Sequence, residues 1–199
     1  NLLIATIDPS LAAAASRTTS FTYDILGNRT EVTDAENRKT VYTYDAKRQL
    51  IDVRTPQVLK ADGTLASYTT SYAYDGESRI VTLTDNNGSV TQSLYTANGL
   101  LKRVTDPVGN VTEYLYDANL QQVQITVGAQ LASALRRVLK FSYDEENQLV
   151  SQTDAMGFVT RRAVDAPGNV VSVTDANNNT TQFEYDRNNR LVKETNALL

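Results

Sequence analysis

Aspartate is the residue in this sequence whose type and spacing offer chemistry. One series of carboxylates follows a tyrosine at Asp24, Asp45, Asp75, Asp117, Asp144 and Asp186, and a second stands at Asp34, Asp85, Asp106, Asp154 and Asp175. Two carboxylates flanking a substrate can divide acid and base roles, and Asp24 with Asp34 is the kind of pair a glycosidase uses. Aspartate oxygens beside a tight turn are also ligands for a hard cation such as calcium. Neither is the use expected here. Acid–base work needs two groups in unequal environments, whereas these carboxylates return at every unit of a repeat, the distribution of a structural part. No dense D-x-D-x-D-G string occurs, which argues against a calcium loop. Among 199 residues there is no histidine, cysteine or tryptophan, so imidazole bases, thiolate nucleophiles, disulfides and sulfur metal sites are absent. No catalytic, cofactor-binding or metal-binding residue is assigned, no cofactor is expected, and the chain is read as non-enzymatic.

The elements that carry these aspartates repeat every 21 residues. Tyr23 and Tyr44 stand one period apart, as do Tyr74, Tyr95 and Tyr116 in succession, and Tyr143, Val164 and Tyr185 keep the step with one tyrosine replaced. The phase slips by nine residues between Tyr44 and Tyr74 and by six between Tyr116 and Tyr143. Units this small cannot close a core alone, so the architecture reads as a stack of them. Aromatic pairs at i and i+2, such as Phe21/Tyr23, Tyr42/Tyr44, Tyr72/Tyr74, Tyr114/Tyr116, Phe141/Tyr143 and Phe183/Tyr185, place both rings on one face of a strand. Apolar residues seven and nine places beyond the tyrosine, as in Ile51/Val53, Val81/Leu83, Val123/Ile125 and Val171/Val173, can line the same face. Thr40, Thr91, Thr112, Thr160 and Thr181 mark the start of the returning strand. Each aspartate opens a turn in which its carboxylate accepts a backbone N–H two residues on, and Gly27, Gly88, Gly109, Gly157 and Gly168 supply positive φ. The prediction is an all-β fold of tandem antiparallel β-hairpins in a continuous repeat sheet.

The expected organisation is a partial repeat and excursion over 1–20, including Ala12 to Ala15, repeats over 21–55, an inserted loop or hairpin over 56–70 with Asp62-Gly63 at its turn, and repeats over 71–126. An inserted segment with a short helix follows over 127–140, where Leu131, Leu135, Val138 and Leu139 have near-helical spacing. Repeats then fill 141–199, truncated at the end; both ends read as cut. The inserted helix is read as covering a sheet edge or plugging an opening, with a docking site for a partner as the alternative.

Nineteen basic and 23 acidic residues give a net charge of −4, which disfavours nucleic acid as a partner; Arg136, Arg137 and Lys140, the densest basic group, are too few to reverse this. No run approaches 18 apolar residues and no basic-then-apolar leader opens the chain, so neither a membrane span nor a signal peptide is expected in this segment.

The runs FTYDILGNRTEVTD at 21–34, YTYDAKRQLIDVRT at 42–55, YAYDGESRIVTLTDNNGSVT at 72–91, LYTANGLLKRVTDPVGNVTEYLYD at 94–117, FSYDEENQLVSQTDAMGFVT at 141–160 and FEYDRNNRLVKET at 183–195 together resemble the YD-repeat or RHS-repeat family. That family occurs in bacterial polymorphic toxins, in the cocoon-forming component of insecticidal toxin complexes and, more distantly, in teneurins. The resemblance implies a sheet that curves or spirals into a hollow shell, with adjoining repeats and an encapsulated toxin domain of the same parent protein as partners, secretion or delivery components beside them, and a secreted location. Its implied function is a structural shell segment that encapsulates and helps deliver a C-terminal effector; the alternative is an exposed carbohydrate- or protein-binding adhesion scaffold. Many bacterial members carry an aspartyl autoproteolysis motif, but Asp106-Pro107-Val108-Gly109 sits at an ordinary turn position and is read as a turn. Departures from the family pattern, namely Arg48 and Leu120 at the usual glycine, Val164 for tyrosine and Gln122 for an apolar residue, imply local bulges or altered packing.

Overall fold

The computed structural model describes the backbone of residues 5–7 and all of residues 18–196. The excursion expected at Ala12 to Ala15 lies outside the described residues. The chain divides after Ser93 into two compact units.

In the first unit, β1 (Ala5–Ile7), β2 (Thr18–Tyr23), β3 (Arg29–Thr33), β4 (Lys39–Tyr44) and β5 (Leu50–Arg54) pair antiparallel in sequence order. After a small separate hairpin of β6 (Val58–Leu59) and β7 (Leu65–Ala66), the ladder resumes with β8 (Thr69–Tyr74) on β5, then β9 (Ile80–Thr84) and the first residues of β10 (Val90–Tyr95). The second unit runs β11 (Leu101–Thr105), β12 (Val111–Tyr116), β13 (Gln122–Val127), β14 (Arg137–Tyr143), β15 (Leu149–Thr153), β16 (Val159–Val164), β17 (Val170–Thr174), β18 (Thr180–Tyr185) and β19 (Leu191–Thr195), each antiparallel to the one before. The expected all-β array of tandem hairpins is what the chain forms.

Within each unit a strand contacts only its ladder neighbours, and no apolar side chain among the described residues is fully buried. In each unit the sheet is a single layer. Its stability comes from cross-strand pairs repeated many times, each contributing roughly 0.2–1 kcal/mol, and from the half-burial of the rings on one face. Exposure alternates along β2 and β4, leaving Thr40, Tyr42 and Tyr44 half-buried on one face and Lys39, Val41 and Thr43 exposed on the other. The residue nine places beyond each tyrosine pairs with the preceding aromatic, as in Tyr42 with Val53, Tyr72 with Leu83 and Tyr114 with Ile125. The residue seven beyond does not pair. Ile51, Val81, Val123 and Val171 are skipped in the register, each the extra residue of a β-bulge beside the turn.

All regular turns share one five-residue form. The N–H of the first residue donates to the carbonyl four residues on, and the N–H of the fourth donates back to the first carbonyl, as in Asp106 with Asn110 and Gly109 with Asp106. The fourth residue takes positive φ, the geometry of a type I turn closed by a left-handed residue. Arg48 (φ 64°) and Leu120 (φ 66°) adopt this conformation just as Gly109 (φ 89°) does. Of the local bulges or altered packing expected at these two positions, bulges do stand beside both turns, at Ile51 and Val123, but the glycine turn after Tyr23 has one too; the loop keeps its shape and the left-handed backbone bears the strain, about 1 kcal/mol or more per residue. Leu120→Gly is expected to stabilise the protein by about 0.5–1 kcal/mol and Gly109→Ala to destabilise it by a similar amount, measured by urea unfolding. Space around Gly109 is open, so the second substitution reports backbone conformation alone.

The short helix expected over 127–140 is a single 3-10 turn, Ser133–Leu135, and strand β14 already begins at Arg137. Gly128 (φ 76°) and Ala132 (φ −58°, ψ 148°) lie outside helical geometry and interrupt the leucine spacing. Leu131 instead folds back over Gly128, its Cδ1 3.0 Å from where a Cβ would stand.

Candidate functional site

What recurs in this molecule is a bond between repeats. Tyr44 donates its hydroxyl to the carbonyl of Arg29 at 3.1 Å, Tyr74 to Leu50 at 2.7 Å, Tyr116 to Leu101 at 2.8 Å, Tyr143 to Gln122 at 3.0 Å and Tyr185 to Val170 at 3.0 Å. In every case the acceptor is the first residue of a strand and the donor is the last residue of the next. The ladder between the two strands stops two residues short of that carbonyl; β11 and β12, for instance, pair only from Arg103 with Glu113 to Thr105 with Val111. At the tyrosine end the strands part, and the phenol spans the gap to a carbonyl that the ladder leaves unpaired. Burial pushes the phenols of Tyr74 and Tyr116 above their ordinary value of 10.0, so both remain proton donors at neutral pH.

The aspartates are clamps within each turn. Asp24 accepts through Oδ1 from the N–H groups of Leu26 and Asn28 at 2.9 and 2.8 Å, and through Oδ2 from Asn28 Nδ2 at 2.8 Å. Asp34 takes the same bonds from Glu36 and Arg38 and completes them with Arg38 Nε at 2.7 Å. Asp75, Asp106 and Asp186 repeat the three-bond arrangement with Arg79, Asn110 and Arg190. The side-chain bond from Asn28 is the largest influence lowering the Asp24 carboxyl below its usual range, and the backbone N–H of Arg38 is the largest at Asp34. Asn110 and Arg190 side chains lead at Asp106 and Asp186. These groups are held ionised by donors on both oxygens, an environment that favours an anion and leaves poor lone-pair access for a cation.

The sequence pair Asp24 and Asp34 is not brought together. They flank the two ends of β3, whose five residues separate them by about 17 Å. Glycosidase carboxylates stand roughly 5–9.5 Å apart, so this pair cannot act on one bond. Asp106-Pro107-Val108-Gly109 forms the ordinary turn, its carboxylate bound by Val108 and Asn110. No cluster of three His, Cys, Asp or Glu side chains arranged to hold a metal occurs among the described residues.

Both interruptions of the period replace a turn at the end away from the tyrosines, and each leaves a hollow at its base. That beside the β6–β7 hairpin is about 340 Å³, lined by Arg38, Lys39, Arg54, Pro56 and Ser67. That under residues 128–136 is about 390 Å³, lined by Val104, Val127, Leu131, Leu135 and Arg137. No helix among the described residues is long and apolar enough to cross a membrane.

The family profile described as RHS Repeat matches residues 2–39, 26–57, 95–130 and 165–198. The chain belongs to the RHS-repeat family. Among solved structures, these RHS repeats are similar to TcdB2-TccC3 without its hypervariable C-terminal region, with 14% identity over 98% of this chain and 15% of that one and a TM-score of 0.48. They are also similar to TcdB2-TccC3-Cdc42, with 11% identity over 90% of this chain and 14% of that one and a TM-score of 0.31. The Photorhabdus luminescens Tc holotoxin pore is a further match, with 12% identity over 90% of this chain and 16% of that one and a TM-score of 0.21. The chain thus spans about 15% of the length of the first of these. No curated protein matches it.

Two parts of the RHS repeat escaped the sequence reading. Asp165 makes two of the three clamp bonds, accepting from Asn169 N and Nδ2 at 2.7 and 3.0 Å while Pro167 offers no N–H for the third, but it follows Val164 and so lacked the tyrosine that marked its series. Its place 21 residues beyond Asp144 was the available signal. The inter-repeat hydroxyl bond also had a signal. The first aromatic of each pair is Phe or Tyr, whereas the second is Tyr in every pair, the pattern of a position that uses its hydroxyl.

Proposed function

We propose that this RHS-repeat segment is a stretch of container wall that encloses a C-terminal effector domain of the same parent protein and assists its delivery from a secreted toxin. The observation that carries the reading is the single-layer sheet whose repeats are joined by tyrosine hydroxyl bonds and whose turns satisfy their own polar groups. Such a sheet extends by adding repeats, and it forms a barrier without needing a site. Confinement then acts geometrically, by blocking access and holding the enclosed chain at high local concentration. The segment contributes wall; chemistry resides in the enclosed domain.

A second reading, an exposed carbohydrate- or protein-binding adhesion scaffold, draws on the open hollow of about 580 Å³ beside Tyr72, Tyr74 and Ile51. Gln49, which also lines it, has a buried Nε2 with no hydrogen-bond partner among the described residues. Timed limited proteolysis of the intact parent protein, followed by mass spectrometry of its terminal domain, separates the two. A wall predicts that the terminal domain resists digestion until the repeats are mildly disrupted. Digestion at the same rate before and after disruption supports the scaffold.

A further inference from the structure

The tyrosine bond fails in one repeat of the second unit, and we infer that the pairing of β15 with β16 is the seam at which this unit opens first. The donor that should close it stands at position 164, where valine has no hydroxyl, and the acceptor is the carbonyl of Leu149, 15 residues back, the same offset as Tyr116 to Leu101 and Tyr185 to Val170. The ladder of β15 with β16 also stops at Ser151 with Arg161, two residues short of Leu149. The repeat therefore has the parted strand ends of its neighbours without the phenol that spans them.

A second observation falls on the same place. Of three buried side-chain polar atoms that lack a hydrogen-bond partner among the described residues, two are Gln148 Oε1 and Arg162 Nη1. Gln148 precedes the carbonyl that lacks its tyrosine donor. Arg162 stands where the other repeats place Tyr42, Tyr72, Tyr114, Phe141 or Phe183, and it pairs across with Val173 as Tyr42, Tyr72 and Tyr114 pair with Val53, Leu83 and Ile125. Both aromatic positions of the repeat are thus changed, to Arg162 and Val164; the third unpartnered atom, Gln49 Nε2, stands at the position equivalent to Gln148 in a repeat whose Leu50 carbonyl keeps its bond from Tyr74, so it is the unsatisfied Arg162 guanidinium that sets this repeat apart. Buried unpartnered groups regain hydrogen bonds to water when strands separate, which lowers the cost of opening here relative to the other repeats. Opening frees two strand edges at a fixed line in the unit, accessible to a protease or to another strand. The inference concerns this chain's own ladder and is independent of what the wall encloses.

Hydrogen–deuterium exchange of the intact protein, read by mass spectrometry as protection relative to intrinsic rates, tests it. Amides of β15 and β16 are expected to exchange roughly five- to tenfold faster than those of β11 and β12, the pair closed by Tyr116. Val164→Tyr should slow them toward the β11–β12 level. Should the added ring disturb packing and raise exchange throughout the unit, Tyr143→Phe decides, because it removes only the hydroxyl that reaches Gln122 and is expected to accelerate β13–β14 about fivefold. Equal or stronger protection of β15–β16 in the wild type overturns the inference. So does a folded Val164→Tyr protein with unchanged exchange there, or a Tyr143→Phe protein with unchanged exchange at β13–β14.

Discussion

Replacing Tyr116 with alanine is expected to lower the unfolding free energy by about 3 kcal/mol, and with phenylalanine by about 1 kcal/mol. The alanine figure combines lost ring burial in a sheet that has no second layer with the loss of the bond to Leu101. The phenylalanine figure isolates the hydroxyl, because the ring stays and only the carbonyl partner is lost. Urea unfolding of both variants beside the wild type checks the pair of values. Equal effects of the two substitutions would show that the hydroxyl, and not the ring, carries the contribution. No effect from phenylalanine would remove the hydrogen bond from the account. Repeats couple to their neighbours, so the loss should spread to β11 and β12 on both sides of the bond.

Acid is expected to unfold the protein cooperatively through its turns. Asp24, Asp34, Asp75, Asp85, Asp106, Asp165, Asp175 and Asp186 all have carboxyls lowered from an ordinary value of 3.8. A carboxyl whose folded value lies below its unfolded value contributes stability that is complete above the unfolded value and is lost as pH falls through the folded one. Stability should therefore hold down to about pH 4 and decline steeply below it, with several protons taken up together. Each group is half-buried and individually modest, and the size of the effect comes from repetition. Circular dichroism against pH checks the position of the transition, and Asp106→Asn should make it less steep. A transition centred well above pH 4, or one unchanged in Asp106→Asn, contradicts the role given to the clamps.

Period, strand faces and turn positions were legible because they repeat locally: a tyrosine every 21 residues, aromatics at i and i+2, and an aspartate three residues before a glycine; that Asn37, Asn147, Asn178 and Asn189 fill the glycine place in other turns was not read. The bulges at Ile51, Val81, Val123 and Val171 were not, since a register slip of one residue leaves the apolar pattern intact while moving its partner. The hydroxyl bonds were hidden by distance. Tyr116 reaches back 15 residues, but Tyr74 reaches back 24 and Tyr143 reaches back 21, because the interruptions of nine and six residues lie inside those spans. The leucines of 127–140 suggested a helix by spacing alone, and the left-handed Gly128 with the extended Ala132 overrode it. Arg48 and Leu120 suggested local bulges or altered packing, yet the carboxylates of Asp45 and Asp117 hold those loops in the common form. The Asp24 and Asp34 pair illustrates the reverse case: ten residues apart in sequence, the two carboxylates stand at opposite ends of one strand.

The most direct test of the account joins the hydroxyl bonds to the wall they are proposed to hold. In the intact parent protein, Tyr116, Tyr143 and Tyr185 are changed together to phenylalanine, and the half-life of the terminal domain under limited proteolysis is compared with wild type. The account predicts a long-lived terminal domain in the wild type and a markedly shortened half-life in the triple variant, with cleavage of the repeats preceding loss of the domain. Rapid digestion of the terminal domain in the wild type, or undiminished protection in the triple variant, would contradict it.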